Sequence, residues 1–252
     1  MIRNPFQSEG GAARYAAGRP YVHPLFVARI RPHLAAHTLG ADVACGTGLS
    51  SVALTELMEQ VLAYDASEAM LAQATPHPKV TYAQAPAEAL PIPDDCLDVL
   101  TVALGIHWFD RPRFFAEARR TLKLGGVLAV YDMFFLATLE GRPDFTPWMH
   151  EQYGERYPPP PRWPYALDEA QATSEGFSFH EERLQHVQPF SRAELVAYLL
   201  THSNTLAASD EGRESSKSIA SWLNAGLEPF LPGDAVGRFG FGGLLRVLKP
   251  LF

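Results

Sequence analysis

Apolar and polar positions in the first half of the chain alternate in a rhythm that predicts strand, helix, strand. Ala41–Ala44 reads as a short buried strand running into a glycine-rich turn, Cys45-Gly46-Thr47-Gly48. That turn opens a helix, because Leu49, Val52, Ala53, Leu54 and Leu57 fall at helical spacing. A second strand, Gln60–Tyr64, ends on Asp65, and Ser67 is placed to cap the next helix. Val80–Ala83 and Leu97–Ala103 predict a third and a fourth strand. A helix over about Pro112–Leu122 then leads through Lys123-Leu124-Gly125-Gly126 into a fifth, Val127–Tyr131.

Beyond the fifth strand the pattern is irregular and rich in proline and aromatic residues. Tyr157-Pro158-Pro159-Pro160-Pro161-Arg162-Trp163-Pro164 predicts extended polyproline II, as a rigid connector, a substrate-facing cover or a partner-binding motif. Phe177–Gln188 alternates as a sixth strand. Ser191-Arg192-Ala193-Glu194 is a capping box opening a helix to about His202, and another helix covers about Ser216–Phe230. Phe239–Leu248 supplies the last strand. Its glycines, Gly240, Gly242 and Gly243, lead into a strand rather than a helix and so predict a turn or bulge, not a phosphate cradle.

The first strand–turn–helix–strand is the opening unit of a doubly wound sheet, in which ligands sit over the carboxyl ends of the strands. A dinucleotide site wants a third glycine where this chain has Ser51. Asp42, four residues before Gly46, suits a ligand carrying positive charge and suits a pyrophosphate poorly. S-adenosylmethionine (SAM) carries a sulfonium and an ammonium group and no phosphate. Asp65, 19 residues after Gly46, is placed to accept hydrogen bonds from ribose hydroxyls.

Add the loop Ala87–Asp94 and the run Gly105-Ile106-His107-Trp108-Phe109-Asp110, and the set resembles the class I SAM-dependent methyltransferases. The His107–Asp110 run, with Tyr15, Arg19, Pro20 and Tyr21, resembles the methyltransferase type 11 branch that includes trans-aconitate methyltransferase. The resemblance is dense over residues 12–133. It implies an α/β fold: a Rossmann-like, mostly parallel seven-stranded sheet with an antiparallel last strand and helices on both faces. It also implies SAM as cofactor and S-adenosylhomocysteine as product. Asp42, Ala44, Gly46 and Gly48 would line the methionine end, with Tyr15 and Arg19 in the covering segment facing the methionine carboxylate or an anionic acceptor. Asp65 and Ala66 would contact ribose and the adenine edge, and Met70 would pack on the base. Ala87 and Glu88 would border adenine, and Ala103 and Leu104 would lie beneath the sulfonium. His107 is the candidate acceptor contact or base. There are two departures. Ala44 replaces the first glycine of the usual loop, which is tolerable in ordinary strand conformation, and Pro86 replaces the acidic residue that often meets the adenine amino group.

Length and composition fit one methyltransferase domain, 1–252. Within it, 1–37 would be a helical cap, 38–133 the cofactor-binding core, 134–176 a Pro/aromatic-rich insertion or cover, and 177–252 the C-terminal strands and helices. No apolar run approaches 18 residues and no signal-peptide pattern opens the chain, so the expectation is a cytoplasmic protein without a membrane partner. Cys45 and Cys96 read as reduced thiols, and no ligand spacing suggests a metal. The net charge of −7 argues against a nucleic-acid partner. Residues 1–37, however, hold five arginines against one glutamate, a local +4 that hints at an anionic small-molecule acceptor. The expected reaction is methyl transfer to such a small molecule, O- or carboxyl-methylation above others. The alternatives are a SAM-binding protein without transfer activity and an NAD-dependent oxidoreductase. Oligomeric state has no signal in the sequence.

Overall fold

A computed structural model describes residues 9–160 and 167–251. The helices of its first half are α1 (Glu9–Gly18), α2 (His23–Ile30), α3 (Leu49–Leu54), α4 (Glu68–Leu71) and α5 (Arg111–Thr121). Three short pieces follow: α6 (Phe145–Pro147), a π-helical turn (Trp148–Tyr153) and α7 (Gly154–Arg156). The rest are α8 (Glu169–Ser174), α9 (Arg192–Leu199), α10 (Ser203–Asp210) and α11 (Ser216–Leu227). The strands are β1 (Leu39–Val43), β2 (Gln60–Asp65), β3 (Val80–Gln84), β4 (Leu97–Ala103), β5 (Leu122–Leu139), β6 (Phe177–Ser191) and β7 (Val236–Pro250).

The strands form one seven-stranded sheet in the order β3-β2-β1-β4-β5-β7-β6. Strand β1 pairs in parallel with both β2 and β4, placing Asp42 beside Ala63 on one side and Thr101 on the other. Chain order therefore reverses at β1, the switch point where open α/β sheets hold their ligands. The buried runs of β1 and β4 are what a sheet covered on both faces requires. Strand β7 runs antiparallel to β5: Glu140 N–H donates to Arg238 C=O just past the end of β5, and Asp132 pairs with Arg246 near the other end. The expected mixed sheet with an antiparallel last strand is what the chain forms.

Two compact units divide the chain. The first comprises residues 1–20, 133–162 and 185–243; the second comprises 21–132, 163–184 and 244–252. In the second, Phe114, Phe115, Ile106, Leu128, Val130 and Phe177 are buried in the core around β4 and β5. In the first, Phe135, Phe145, Tyr198, Phe239 and Phe241 build an aromatic core. Residues 1–37, expected as one cap, split between them: α1 belongs to the first, while Phe26, Val27 and Ile30 of α2 are buried in the second.

Several boundaries differ from expectation. Strand β5 continues past Tyr131 to Leu139. Its expected link, Lys123–Gly126, is a bulge, since the pairing jumps from Leu97–Leu122 to Val99–Val127. Residues 239–243 are continuous strand rather than a turn. Thr138 and the Phe134 ring of β5 lie across Gly240 and Gly242, where a Cβ would collide with them, so these glycines make room for neighbours. Helix α10 has no clear apolar stripe, but Thr205 donates to the carbonyls of Leu199 and His202 and ties it to the end of α9. The proline run continues into residues 161–166, so the polyproline II expectation falls partly outside the described residues.

Candidate functional site

The loop after β1 turns because three of its residues take left-handed backbone: Ala44 (φ 56°), Gly46 (φ 54°) and Gly48 (φ 80°). Ala44 thus corrects the expectation of ordinary strand geometry, since a side chain there costs about 1–2 kcal/mol. Gly105, just past β4, explains how it fits: a Cβ at Gly105 would lie 2.6 Å from the Ala44 methyl. The glycine displaced from position 44 is compensated at position 105.

Asp42 supports this loop from beneath. It is fully buried; its Oδ2 accepts the hydroxyls of Ser50 and Ser51 at 2.6 Å each, and its Oδ1 accepts Thr101 Oγ1 at 2.9 Å. Asp65 holds the loop from the side. Its Oδ2 accepts Gly46 N–H at 2.9 Å and its Oδ1 accepts Ser67 N–H at 2.8 Å, while Ser67 Oγ caps α4 through Met70 N–H. Burial pushes both carboxyls above their usual range, and the three hydroxyls at Asp42 and the two backbone N–H groups at Asp65 pull against it. Burial, then the neighbouring Cys45 and Asp42, raises the Tyr82 phenol to about 12. Among the described residues no lysine or arginine pairs with Asp42 or Asp65.

A raised pKa in the folded chain means that Asp42 contributes stability below its unfolded value of about 3.9 and loses it as pH rises through the folded value. The melting temperature of Asp42→Asn should therefore gain on the wild type from about pH 4 to pH 7. Thermal melts of both proteins across that range check this, and a difference that stays flat with pH would refute it.

The remaining expected residues lie around the same strand ends. Met70 is buried, its methyl 2.9 Å from where a Cβ on Gly46 would sit. The Ala66 carbonyl accepts Gln84 Nε2 at 3.0 Å. Ala87 is buried, and Glu88 Oε1 accepts Asp110 N–H at 2.8 Å, joining the β3–β4 loop to the segment after β4. Ala103 ends β4, and Leu104, also left-handed (φ 58°), donates its N–H to Tyr131 C=O at 2.9 Å. His107 lies in a single 3₁₀ turn, Ile106–Trp108, with its ring 4.8 Å from that of Trp108, while Phe109 packs on Phe114. Tyr15 and Arg19 lie in the first unit, where the Arg19 guanidinium sits over the rings of Tyr15 and of Tyr198 in α9.

Sequence reasoning missed three contributors. Gln84 is legible only through its pairing with Asp65 across β2 and β3. His23 and Tyr131 are both buried, with His23 Nδ1 3.0 Å from Tyr131 Oη and Phe26 stacked on Tyr131 at 4.5 Å. They are 108 residues apart. Only the proline at the start of α2 marks this place in the sequence.

A family model described as a methyltransferase domain matches residues 41–130, the stretch that holds this loop, Asp65 and β4. A protein of Dictyostelium discoideum assigned as a methyltransferase is 30% identical over 93 residues, 37% of this chain and 35% of that protein. The ubiquinone/menaquinone biosynthesis C-methyltransferase UbiE of Acidiphilium cryptum is 35% identical over 132 residues, 49% of this chain and 52% of the enzyme. The chain thus spans about half or less of the length of these curated relatives. A solved structure assigned as a type II methyltransferase from Anaeromyxobacter dehalogenans superposes with a TM-score of 0.69 at 25% identity, covering 91% of this chain and 96% of that one. Loop, switch-point carboxylates and relatives agree: residues 41–130 carry a methyltransferase domain of the class I SAM-dependent type.

Proposed function

We propose that this protein transfers a methyl group from SAM to a small-molecule acceptor, with an oxygen, a carboxylate oxygen above others, as the nucleophile. The observation that carries the reading is the state of Asp65. Each of its oxygens takes one backbone N–H, leaving further lone pairs at the end of β2 for a pair of ribose hydroxyls. Two carboxylates with no basic partner among the described residues suit a sulfonium and an ammonium group and would repel a pyrophosphate, which argues against a nicotinamide cofactor.

SAM, when bound, supplies an electrophilic methyl group on a good leaving group. What the chain must add is position and dryness. Asp65 holds the ribose; Gly46 and Gly48 let backbone approach the methionine end; Asp42 fixes the loop and contributes its charge. Met70, Ala66, Ala87 and Glu88 border the base, with Gln84 steadying the Ala66 carbonyl, and Ala103 and Leu104 form the floor beneath the methyl group. His107 orients the acceptor, or takes its proton when the nucleophile is a hydroxyl; a carboxylate needs no base.

Calorimetry with SAM, S-adenosylhomocysteine and NAD tests the cofactor, and labelled-methyl turnover against a metabolite collection tests the transfer. Binding of SAM in the micromolar range, with label appearing in one acceptor class, is expected. His107→Ala should keep SAM affinity and lose turnover. SAM binding without any turnover would leave a binding protein, and NAD binding without SAM binding would overturn the reading.

A further inference from the structure

Pairing across the sheet sets Thr101, Asp42, Ala63 and Tyr82 in one row, on β4, β1, β2 and β3 in turn. Residues paired in this way point to the same face. Asp42 shows which face it is, since it accepts from Ser50 and Ser51 at the start of α3. Tyr82 therefore rises on the α3 side. Ala63, small and fully buried between the two, leaves its ring room to reach the loop after β1. The ring arrives at Gly48: a Cβ there would strike the phenol oxygen and lie 2.8 Å from Cζ. The hydroxyl itself donates to Thr75 C=O at 2.8 Å, and Thr75 N–H donates to Thr47 C=O at 3.0 Å. Pro76 favours extended backbone at Thr75, in which a residue's N–H and C=O face the same side. Both of them serve the loop.

The connector between α4 and β3 is thus tied to the loop at Thr75. Lys79 ties its far end to the turn after α3, donating to the carbonyls of Thr55 and Met58 at 3.2 and 3.4 Å. These contacts reach a part of the loop that the two carboxylates do not. Asp65 accepts from Gly46 and Ser67, and Asp42 from Ser50, Ser51 and Thr101. Thr47 and the left-handed Gly48 lie between. Glycine loses more freedom on ordering than any other residue. A loop that was in place only part of the time would lower the apparent affinity by that fraction. Burial, then Cys45 and Asp42, pushes the Tyr82 phenol up to about 12, so it keeps its proton and remains a donor to Thr75 at neutral pH.

We infer that Tyr82 is a positioning residue for the cofactor: with Thr75 it clamps Thr47 and Gly48, so that the loop is set before SAM arrives. The step rests on the reading of this loop as the SAM site. Every residue it uses belongs to the second unit.

The test compares the full-length wild type with Tyr82→Phe, which removes the bond to Thr75 but keeps the ring over Gly48, and with Tyr82→Ala, which removes both. Calorimetry with S-adenosylhomocysteine should find Tyr82→Phe about fivefold weaker, as loss of one hydrogen bond implies, and Tyr82→Ala weaker still. Amide hydrogen exchange supplies the second reading. Without ligand, the Gly48 and Thr75 amides should exchange faster in Tyr82→Phe than in wild type, while Val130 in the sheet core keeps its rate. Saturating S-adenosylhomocysteine should restore both. Wild-type affinity in folded Tyr82→Phe would overturn the inference, and so would exchange that rises at Val130 as much as at Gly48, since Tyr82 would then stabilise the fold alone. If Tyr82→Ala does not fold, Tyr82→Phe carries the test. A wild type that fails to bind S-adenosylhomocysteine would sink the methyltransferase reading instead; unchanged ligand-free exchange at Gly48 and Thr75 would still overturn the clamp.

Discussion

Asp65→Ala should lower SAM affinity by about 1.5–3 kcal/mol, the range for hydrogen bonds to a charged group, which is roughly 10- to 150-fold. Two losses combine. The ribose hydroxyls lose their acceptor, and Gly46 N–H loses the carboxylate oxygen 2.9 Å away that holds the loop in place. Asp65→Asn separates them, because its amide oxygen can still accept Gly46 N–H or Ser67 N–H but not both, and its affinity should fall between alanine and wild type. Calorimetry with SAM gives the ranking, and thermal melts establish that each variant is folded. Wild-type SAM affinity in a folded Asp65→Ala would show that Asp65 serves only the turn into α4, and ribose recognition would have to move elsewhere.

The second large effect is steric and lies at the contact between the β1 and β4 ends. Gly105 has ordinary backbone angles (φ −116°, ψ −24°), so replacing it by alanine adds no backbone strain. It does add a methyl group 2.6 Å from the Ala44 methyl, which should destabilise by about 1–3 kcal/mol. Ala44→Gly alone relieves about 1–2 kcal/mol of left-handed strain and gives back about 0.5–1 in chain entropy, so it should be neutral or slightly stabilising. In the double variant the clash has no partner and stability should return to near wild type. Urea unfolding of the four proteins reads the coupling directly. If Ala44→Gly fails to rescue Gly105→Ala, the crowding lies with some other neighbour.

This pair also shows how far local pattern carries. Asp42, Gly46, Gly48 and Asp65 were legible as parts of one loop because a strand, a tight turn, a helix and a second strand must follow one another at short range. The Ser191–Glu194 capping box and the Ser67 cap formed as read for the same reason: their partners lie three residues away. Ala44 was misread because alanine next to a strand gives no sign of positive φ. What permits it is a missing Cβ at Gly105, 61 positions later. Gly240 and Gly242 were misread in the same manner, since their cause is the Phe134 ring and Thr138 on a neighbouring strand.

By itself, then, the sequence determined the order of the strands, the switch-point loop, and the two acidic positions at the ends of the first two strands. All of these rest on periodicity and on contacts within about 20 residues. The tertiary structure decided the rest. It saturates Asp42 with three hydroxyls, one of them from Thr101 on β4. It pairs His23 with Tyr131, divides the N-terminal segment between two units, and sets Arg19 over the rings of Tyr15 and Tyr198. Burial and partnership of polar groups depend on which distant segments pack together, and chain closure over long separations leaves no periodic mark in the sequence.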